Sequence, residues 1–382
     1  VAVNLRESCQ ELWLKITSWR EKMMYWIFTL VVSACGAWAV EGDQVVWSKG
    51  EAVSDALVLP ACDSEAGRLI ITGFNGTQPT DPEVKTVGEL LKRKLIGGVI
   101  LYSRNIESPP QLKALTTYLK AAAEKVLICI DGEGGRVRRL TKEKGFEFDV
   151  PTALDIAQRG LEKAGEIFKN LAQCLAEYEI NVNFAPVVDL HSPASQAIGK
   201  FGRSFSADPQ EIVPFASEFI QQHRALGVFT CLKHFPGHGL AQDDTHNGLV
   251  DATNHADLKR ELIPYESLIK DGKAPMIMMS HIINRTIDPD HPASLSAFMH
   301  KLLRDDLKYN GLIISDDLLM GAITQQYTVE NYVQKAFDAG TDILLFSKLD
   351  LDKLAVAWQT LKARKVEASM ARLNQLWQVR HD

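Results

Sequence analysis

The sequence predicts an α/β fold, a single (β/α)8 barrel preceded by an N-terminal signal-like apolar segment. Three observations lead there. Eight short apolar runs, rich in Val, Ile, Leu and Met and without polar alternation, succeed one another between residues 69 and 346. That is the pattern of parallel strands covered on both faces. Amphipathic helical patterns fill the gaps between them, and alternating strand and helix signals point to parallel βα units. Ionisable residues then collect directly after successive runs, as they do where barrel strands end at an active-site face. A doubly wound open sheet is the alternative, because counting runs does not close a barrel.

The first 39 residues read as an upstream extension followed by a signal- or lipoprotein-type segment, with the barrel domain over 40–382. Seven charged side chains precede Met23 and sum to +1. Met24–Ala34 is an eleven-residue apolar run behind Arg20 and Lys22. It is short for a membrane span and suits a signal-peptide core. Ala37-Trp-Ala39 resembles a signal-peptidase site, and Val32-Ser-Ala-Cys35 resembles a lipoprotein box that would leave Cys35 lipidated and attach the protein to a membrane. The expectation is therefore export to the periplasm or a lipid anchor on the cell envelope. If the run packs as an ordinary apolar helix instead, the protein is cytoplasmic.

The strand-like runs are Leu69–Thr72, Gly98–Tyr102, Val126–Ile130, Val182–Ala185, Phe229–Leu232, Met276–Ser280, Leu312–Ser315 and Ile343–Phe346. Helices are expected over Pro110–Ala123, Leu161–Glu179 and Pro209–Leu226, the first opening on a Pro pair and the last on Asp208 as N-cap. The tail reads as helices over Leu351–Arg364 and Val366–Val379. Hydrophobic residues make up 46% and charged residues 24% of the 382, an ordinary globular composition with material for one large core. The net charge is −6 and no basic stripe interrupts it, which argues against a nucleic-acid partner. The six cysteines form no Cys-x-x-Cys pair, and Cys129 and Cys231 sit inside apolar runs as small hydrophobes. No disulfide framework is expected.

The densest chemistry lies at Lys-His-Phe-Pro-Gly-His-Gly (233–239) followed by Asp244-Thr-His246. A carboxylate two residues from an imidazole can fix its tautomer and raise its basicity, giving a dyad that moves a proton to a leaving oxygen. Taken alone, Asp-x-His is more often a solvated loop pair; bounding glycines at 237, 239 and 248 are also what a mobile catalytic arm needs. His234 and His238 have a zinc-like spacing, but Pro236 and Gly237 between them break the helix that spacing requires. After the seventh run come Asp316 and Asp317: one placed for a pocket as nucleophile, the other for a helix cap. Asp131, in a Gly-rich turn after the third run, could accept from sugar hydroxyls or cap a tight turn. Its glycine spacing fits neither a dinucleotide nor a phosphate loop. Arg203 offers a planar donor fork for substrate oxygens, or pairs with a nearby acid.

Taken together the segments resemble family 3 glycoside hydrolases of the single-domain bacterial β-N-acetylhexosaminidase type. The resemblance rests on Gly98-Val-Ile-Leu-Tyr-Ser-Arg-Asn105, Ile130-Asp-Gly-Glu-Gly-Gly-Arg-Val137, Asn183-Phe-Ala-Pro-Val-Val-Asp189, Gly202-Arg-Ser-Phe205, the 233–239 segment with Asp244-Thr-His246, Pro292-Ala-Ser294 and Ser315-Asp-Asp-Leu318, all in the family's order. Thr245 stands where Ser is common. The resemblance implies a retaining, exo-acting enzyme on N-acetylglucosamine-containing oligosaccharides, either peptidoglycan fragments or chitin oligosaccharides. It further implies Asp316 as nucleophile, His246 with Asp244 as acid/base dyad, and Asp131, Arg203, Lys233 and His234 as holders of the terminal sugar. Neither metal nor organic cofactor is implied, and a monomer is expected. A metal-dependent barrel hydrolase and a non-catalytic glycan-binding lipoprotein are the rival readings.

Overall fold

The computed structural model describes residues 65–241, 243–245, 248–254 and 257–378, together with the backbone of 38–41, 44–47 and 57–59. The chain divides into two compact units, Val1–Leu59 and Pro60–Asp382. In the first, Trp38–Glu41, Gln44–Trp47 and Leu57–Leu59 pair in order as an antiparallel three-stranded sheet. The apolar run Met24–Ala34 and Cys35 lie outside the described residues.

The second unit carries eight parallel strands: β1 (Ile70–Thr72), β2 (Gly98–Leu101), β3 (Leu127–Ile130), β4 (Val182–Asn183), β5 (Phe229–Phe235), β6 (Met276–Met279), β7 (Leu312–Ser315) and β8 (Leu344–Phe346). Each hydrogen-bonds to its sequence neighbour from β1 to β7, and β8 returns to pair with β1. β7 and β8 meet at a single parallel bridge, Ile314 to Ile343, bringing the sheet round into a nearly closed barrel. Successive parallel strands need a crossover, and helices supply it. These are α1 (Pro82–Lys92), α2 (Pro109–Ala121), α3 (Leu161–Glu177), α4 (Pro209–Arg224), α5 (Leu258–Lys270), α6 (Ala297–Lys301, continued by a π turn over Leu302–Asp306) and α7 (Val329–Ala339); α8 (Leu351–Lys362) follows β8.

Local chemistry sets these boundaries. Ser108, Asp208, Asp257, Thr328 and Asp350 each accept a backbone N–H in the first turn of α2, α4, α5, α7 and α8. Such caps satisfy donors that the helix cannot pair internally. Two expectations are corrected. β5 runs on through Lys233 and His234 to Phe235, so the Lys-His pair belongs to the strand and does not follow it. Asp317 caps no helix: its carboxylate accepts from the N–H of Leu319 at 3.1 Å and of Ser347 at 2.9 Å, tying the β7 and β8 loops together.

The barrel interior is filled from alternate positions of the strands, as period-two side chains require. Ile71, Ile100, Cys129, Phe184, Cys231, Met278, Ile314 and Leu345 share one buried cluster. A last helix, α9 (Glu367–Gln378), adds Met370, Leu373, Leu376 and Trp377 to the same cluster. The Trp377 ring meets Phe229 edge-on, centroids 5.7 Å apart. Phe229 opens β5, so α9 closes the end of the barrel opposite the strand carboxyl termini. Trp377→Ala is expected to cost about 3 kcal/mol of unfolding free energy in a urea titration, because truncation leaves an unfilled volume at the barrel floor; a loss below about 1 kcal/mol would contradict this role for α9.

Candidate active site

The same alternation that fills the core also builds the site. Two residues beyond Ile100, Cys129, Cys231 and Ile314 come Tyr102, Asp131, Lys233 and Asp316. Period-two geometry makes these the next inward layer, at the carboxyl rim.

Lys233, 2% exposed, places its Nζ 2.9 Å from Asp131 Oδ1 and 2.7 Å from Glu133 Oε1. Arg203 grips Glu133 with both arms of its fork, Nε to Oε2 at 2.7 Å and Nη2 to Oε1 at 2.8 Å, and donates from Nη1 to the Ala197 carbonyl at 3.0 Å. Arg139 Nη2 reaches Asp131 Oδ2 at 3.1 Å. Three cations thus enclose two carboxylates. Burial alone would raise both carboxyl pKa values, yet Lys233 with Arg139 holds Asp131 below the usual range, and Arg203 with Lys233 holds Glu133 far below it. The same pairs reverse the effect of burial on Lys233 and keep it charged.

The turn that carries Asp131 and Glu133 is clamped from β4. Asn183 accepts the Gly132 N–H at 2.9 Å and donates back to its carbonyl at 3.2 Å. Asn183 Nδ2 also lies 3.1 Å from His223 Nε2, while His223 Nδ1 faces the Phe219 carbonyl at 2.8 Å. A carbonyl only accepts, so Nδ1 carries the proton and Nε2 accepts from Asn183.

Asp189, fully buried after β4, organises the end of β5. Its Oδ2 takes the His234 Nδ1–H at 2.7 Å, and Oδ1 takes the backbone N–H of His234 at 3.0 Å and of His238 at 2.8 Å. Glu261 of α5 does comparable work for the following loop, accepting from Leu240 at 3.0 Å and from Leu190 at 3.3 Å. Gly237 lies against it with φ +136°, and an added Cβ there would come within 2.5 Å of Glu261; only glycine combines that φ with that approach.

Asp316 sits on β7's carboxyl end with its N–H on the Met279 carbonyl at 2.9 Å. Its Oδ1 accepts from the Asp317 N–H at 2.7 Å. Burial pushes its pKa up, but the charges of His281, His234 and Lys233 and that N–H more than offset it, leaving the carboxyl below its ordinary value. His281, buried at the end of β6, donates from Nε2 to the Asp317 carbonyl at 2.9 Å, and its Nδ1 lies 2.7 Å from Ser294 Oγ. Tyr102 completes the rim, with Arg104 4.5 Å and Arg139 5.4 Å from its ring centroid.

The rim thus brings together Asp131, Arg203, Lys233, His234 and Asp316. Asp244 is described and partly buried, while His246 lies outside the described residues. Between them Thr245 is buried, and its carbonyl accepts from the N–H of Ala322 at 3.4 Å, in the short helix Gly321–Thr324 that follows Asp316. Sequence reasoning assigned no role to Glu133, Arg139, Asn183 or Tyr102. The strand period, continued two residues past Ile100, is the signal that finds Tyr102; Glu133 lies in the turn beyond β3, where that period no longer runs. Nothing local marks Asn183 or Arg139.

Buried histidines give the fold an acid-sensitive side. Burial lowers His223 to about 3, and His238 and His300 to about 4, from an ordinary 6.5. Each takes up a proton on unfolding below pH 6.5, so its contribution is complete above that pH and is lost on acidification. Glu261, pushed up to about 8 by burial and by the charge of Asp189, works the other way. The expected net uptake on unfolding is about two protons near pH 5.5, a fall of about 2–3 kcal/mol per pH unit. Urea unfolding at pH 6.5, 5.5 and 5.0 measures it; constant stability over that range contradicts the neutral, buried rings.

Comparison with known proteins follows the same lines. Residues 63–378 match the family model described as "Glycosyl hydrolase family 3 N terminal domain". A beta-hexosaminidase of Tolumonas auensis is 36% identical over 263 residues, covering 67% of this chain and 77% of that protein. Among solved structures, a glycoside hydrolase family 3 beta-N-acetylglucosaminidase from Paenibacillus superimposes with a TM-score of 0.75 at 31% identity, covering 83% of this chain and 62% of that one. A beta-N-acetylhexosaminidase from Beutenbergia cavernae gives 0.72 at 27% identity, over 84% of this chain and 97% of its own.

Proposed function

The chain belongs to glycosyl hydrolase family 3, and within it we propose a retaining, exo-acting β-N-acetylhexosaminidase that removes terminal N-acetylglucosamine from oligosaccharides. One observation carries the reading. The carboxyl of Asp316, held below its ordinary pKa, stands on the same rim as a buried cage of three cations and two carboxylates.

In the first step Asp316 attacks the anomeric carbon as the bond to the aglycone oxygen breaks. His246, as imidazolium held by Asp244, gives its proton to that oxygen. In the second, His246 takes a proton from water, the water oxygen attacks the anomeric carbon, and the Asp316 ester is released. Sugar hydroxyls are met by Asp131, Lys233, Arg203 and His234. With His234 Nδ1–H given to Asp189, Nε2 is the ring atom for that purpose. Support for the dyad's reach comes from the Thr245–Ala322 hydrogen bond, which ties the β5 loop to the loop behind Asp316.

The relatives' names support β-N-acetylhexosaminide chemistry; peptidoglycan fragments and chitin oligosaccharides both fit it, and turnover of each separates them. Export through Met24–Ala34, with Cys35 or Val40 as first mature residue, is part of the same proposal, and mass spectrometry of the native N-terminus tests it. A chromogenic β-N-acetylglucosaminide should be hydrolysed whether or not a chelator is added. Asp316→Asn should lower kcat about 10⁴-fold or more with the fold intact, because the nucleophile is lost. Unchanged turnover would remove Asp316 from that role, and activity restored only by added zinc would favour a metal-dependent hydrolase.

A further inference from the structure

Glu261 is a buried carboxyl outside the group that would touch substrate. It is 1% exposed, and it sits on α5, behind the loop that leads to Asp244. Among the described residues, the hydrogen bonds at its carboxyl group come from main-chain donors: Oε1 from Leu240, Oε2 from Leu190, with the Gly239 N–H adding to them. The loop is shaped to lie on it. A Cβ at Gly237 would strike Glu261, and a Cβ at Gly239 would come within 2.0 Å of the Leu190 carbonyl. One turn along α5, Tyr265 packs edge-on against Phe235 at the end of β5, ring centroids 5.1 Å apart. The helix therefore holds both the end of the strand and the start of the loop. Leu190 follows Asp189, the residue that holds His234; Leu240 lies four positions before Asp244.

Burying a carboxyl is costly unless its lone pairs are filled. Packing alone would be served better by an apolar side chain of similar volume. What a carboxyl offers here is two oxygens that accept from two separate loops at fixed positions. With its pKa raised to about 8 the group carries a proton at neutral pH, and its hydroxyl oxygen still has lone pairs for one of those N–H groups. A glutamine in its place keeps one accepting oxygen and turns a donor NH₂, which cannot accept, toward the other.

We propose that Glu261 is a positioning residue for proton transfer, a fastening that joins the β4 and β5 loops and sets the base of the arm bearing Asp244 and His246. The inference rests on the hexosaminidase reading of the site. Its signature is selectivity for the step that needs a proton. A 2,4-dinitrophenyl β-N-acetylglucosaminide leaves without protonation, whereas a methyl β-N-acetylglucosaminide needs it. Glu261→Gln should lower kcat/KM at least about tenfold more for the methyl glycoside than for the dinitrophenyl one, because misplaced proton transfer affects only the former. Losses equal on the two substrates, or absent from both, overturn the proposal. A second reading needs no variant: hydrogen exchange on the wild-type protein should find the Leu240 and Leu190 amides protected, and exchange of either at the rate of an unstructured peptide also overturns it. Wild-type protein that hydrolyses neither glycoside would remove the functional reading itself, a result distinct from equal losses in the variant.

Discussion

The interaction on which the rest of the site depends is the sharing of one lysine between two carboxylates. Lys233 Nζ lies between Asp131 and Glu133, and Arg203 and Arg139 close the outer sides of the pair. Removing such groups from water costs several kcal/mol per ion, and only close, well-aligned partners offset it. That requirement places strict demands on the backbone. β3 and β5 are separated by β4 in the sheet, so the two carboxylates and the lysine meet only because the strands curve round a common interior. The electrostatic cage therefore presupposes the barrel. In return it pins the loops after β3 and β4 to the end of β5.

Asp131, Glu133, His234 and Asp316 are each backed by a second group that touches no substrate in the proposed reaction. Asn183 holds the turn of Asp131 and Glu133, Asp189 holds His234, and Glu261 holds the loop after it. His281 holds the carbonyl of Asp317, next to Asp316, and is itself met by Ser294. These supports are buried and tied mainly to backbone atoms. Backbone positions are thereby fixed before a ligand arrives, which is how preorganised polar sites stabilise developing charge without reorganising. The opposite end of the barrel is treated in the reverse manner: α9 closes it with Met370, Leu373, Leu376 and Trp377, and apolar packing takes the place of charge.

Much of this was legible before the fold. Short unalternating apolar runs marked all eight strands, and capping residues such as Asp208 marked helix starts. Asp131, Lys233, His234 and Asp316 stood out because each follows or ends an apolar run. The errors have physical causes. β5 extends through Lys233 because a charged side chain at the rim can be paired across the barrel, which composition cannot signal. Asp317 looked like a helix cap because local sequence offers the same residue types for a cap and for a loop tie. Glu133 was hidden in a Gly-rich turn, and Asn183 read as an ordinary strand residue. Their partners lie far along the chain: Arg203 is 70 positions from Glu133, and His223 is 40 from Asn183.

The sequence by itself determined the period of the strands, the places where they stop, and the kinds of chemistry waiting at those stops, because these follow from side-chain type and local spacing. Only the tertiary structure decided which charges face each other, which nitrogen of His223 carries the proton, and which carboxylates are supports. Those outcomes depend on distances across the barrel interior, and such distances are set by closure of the strand ring. No stretch of neighbouring residues encodes them.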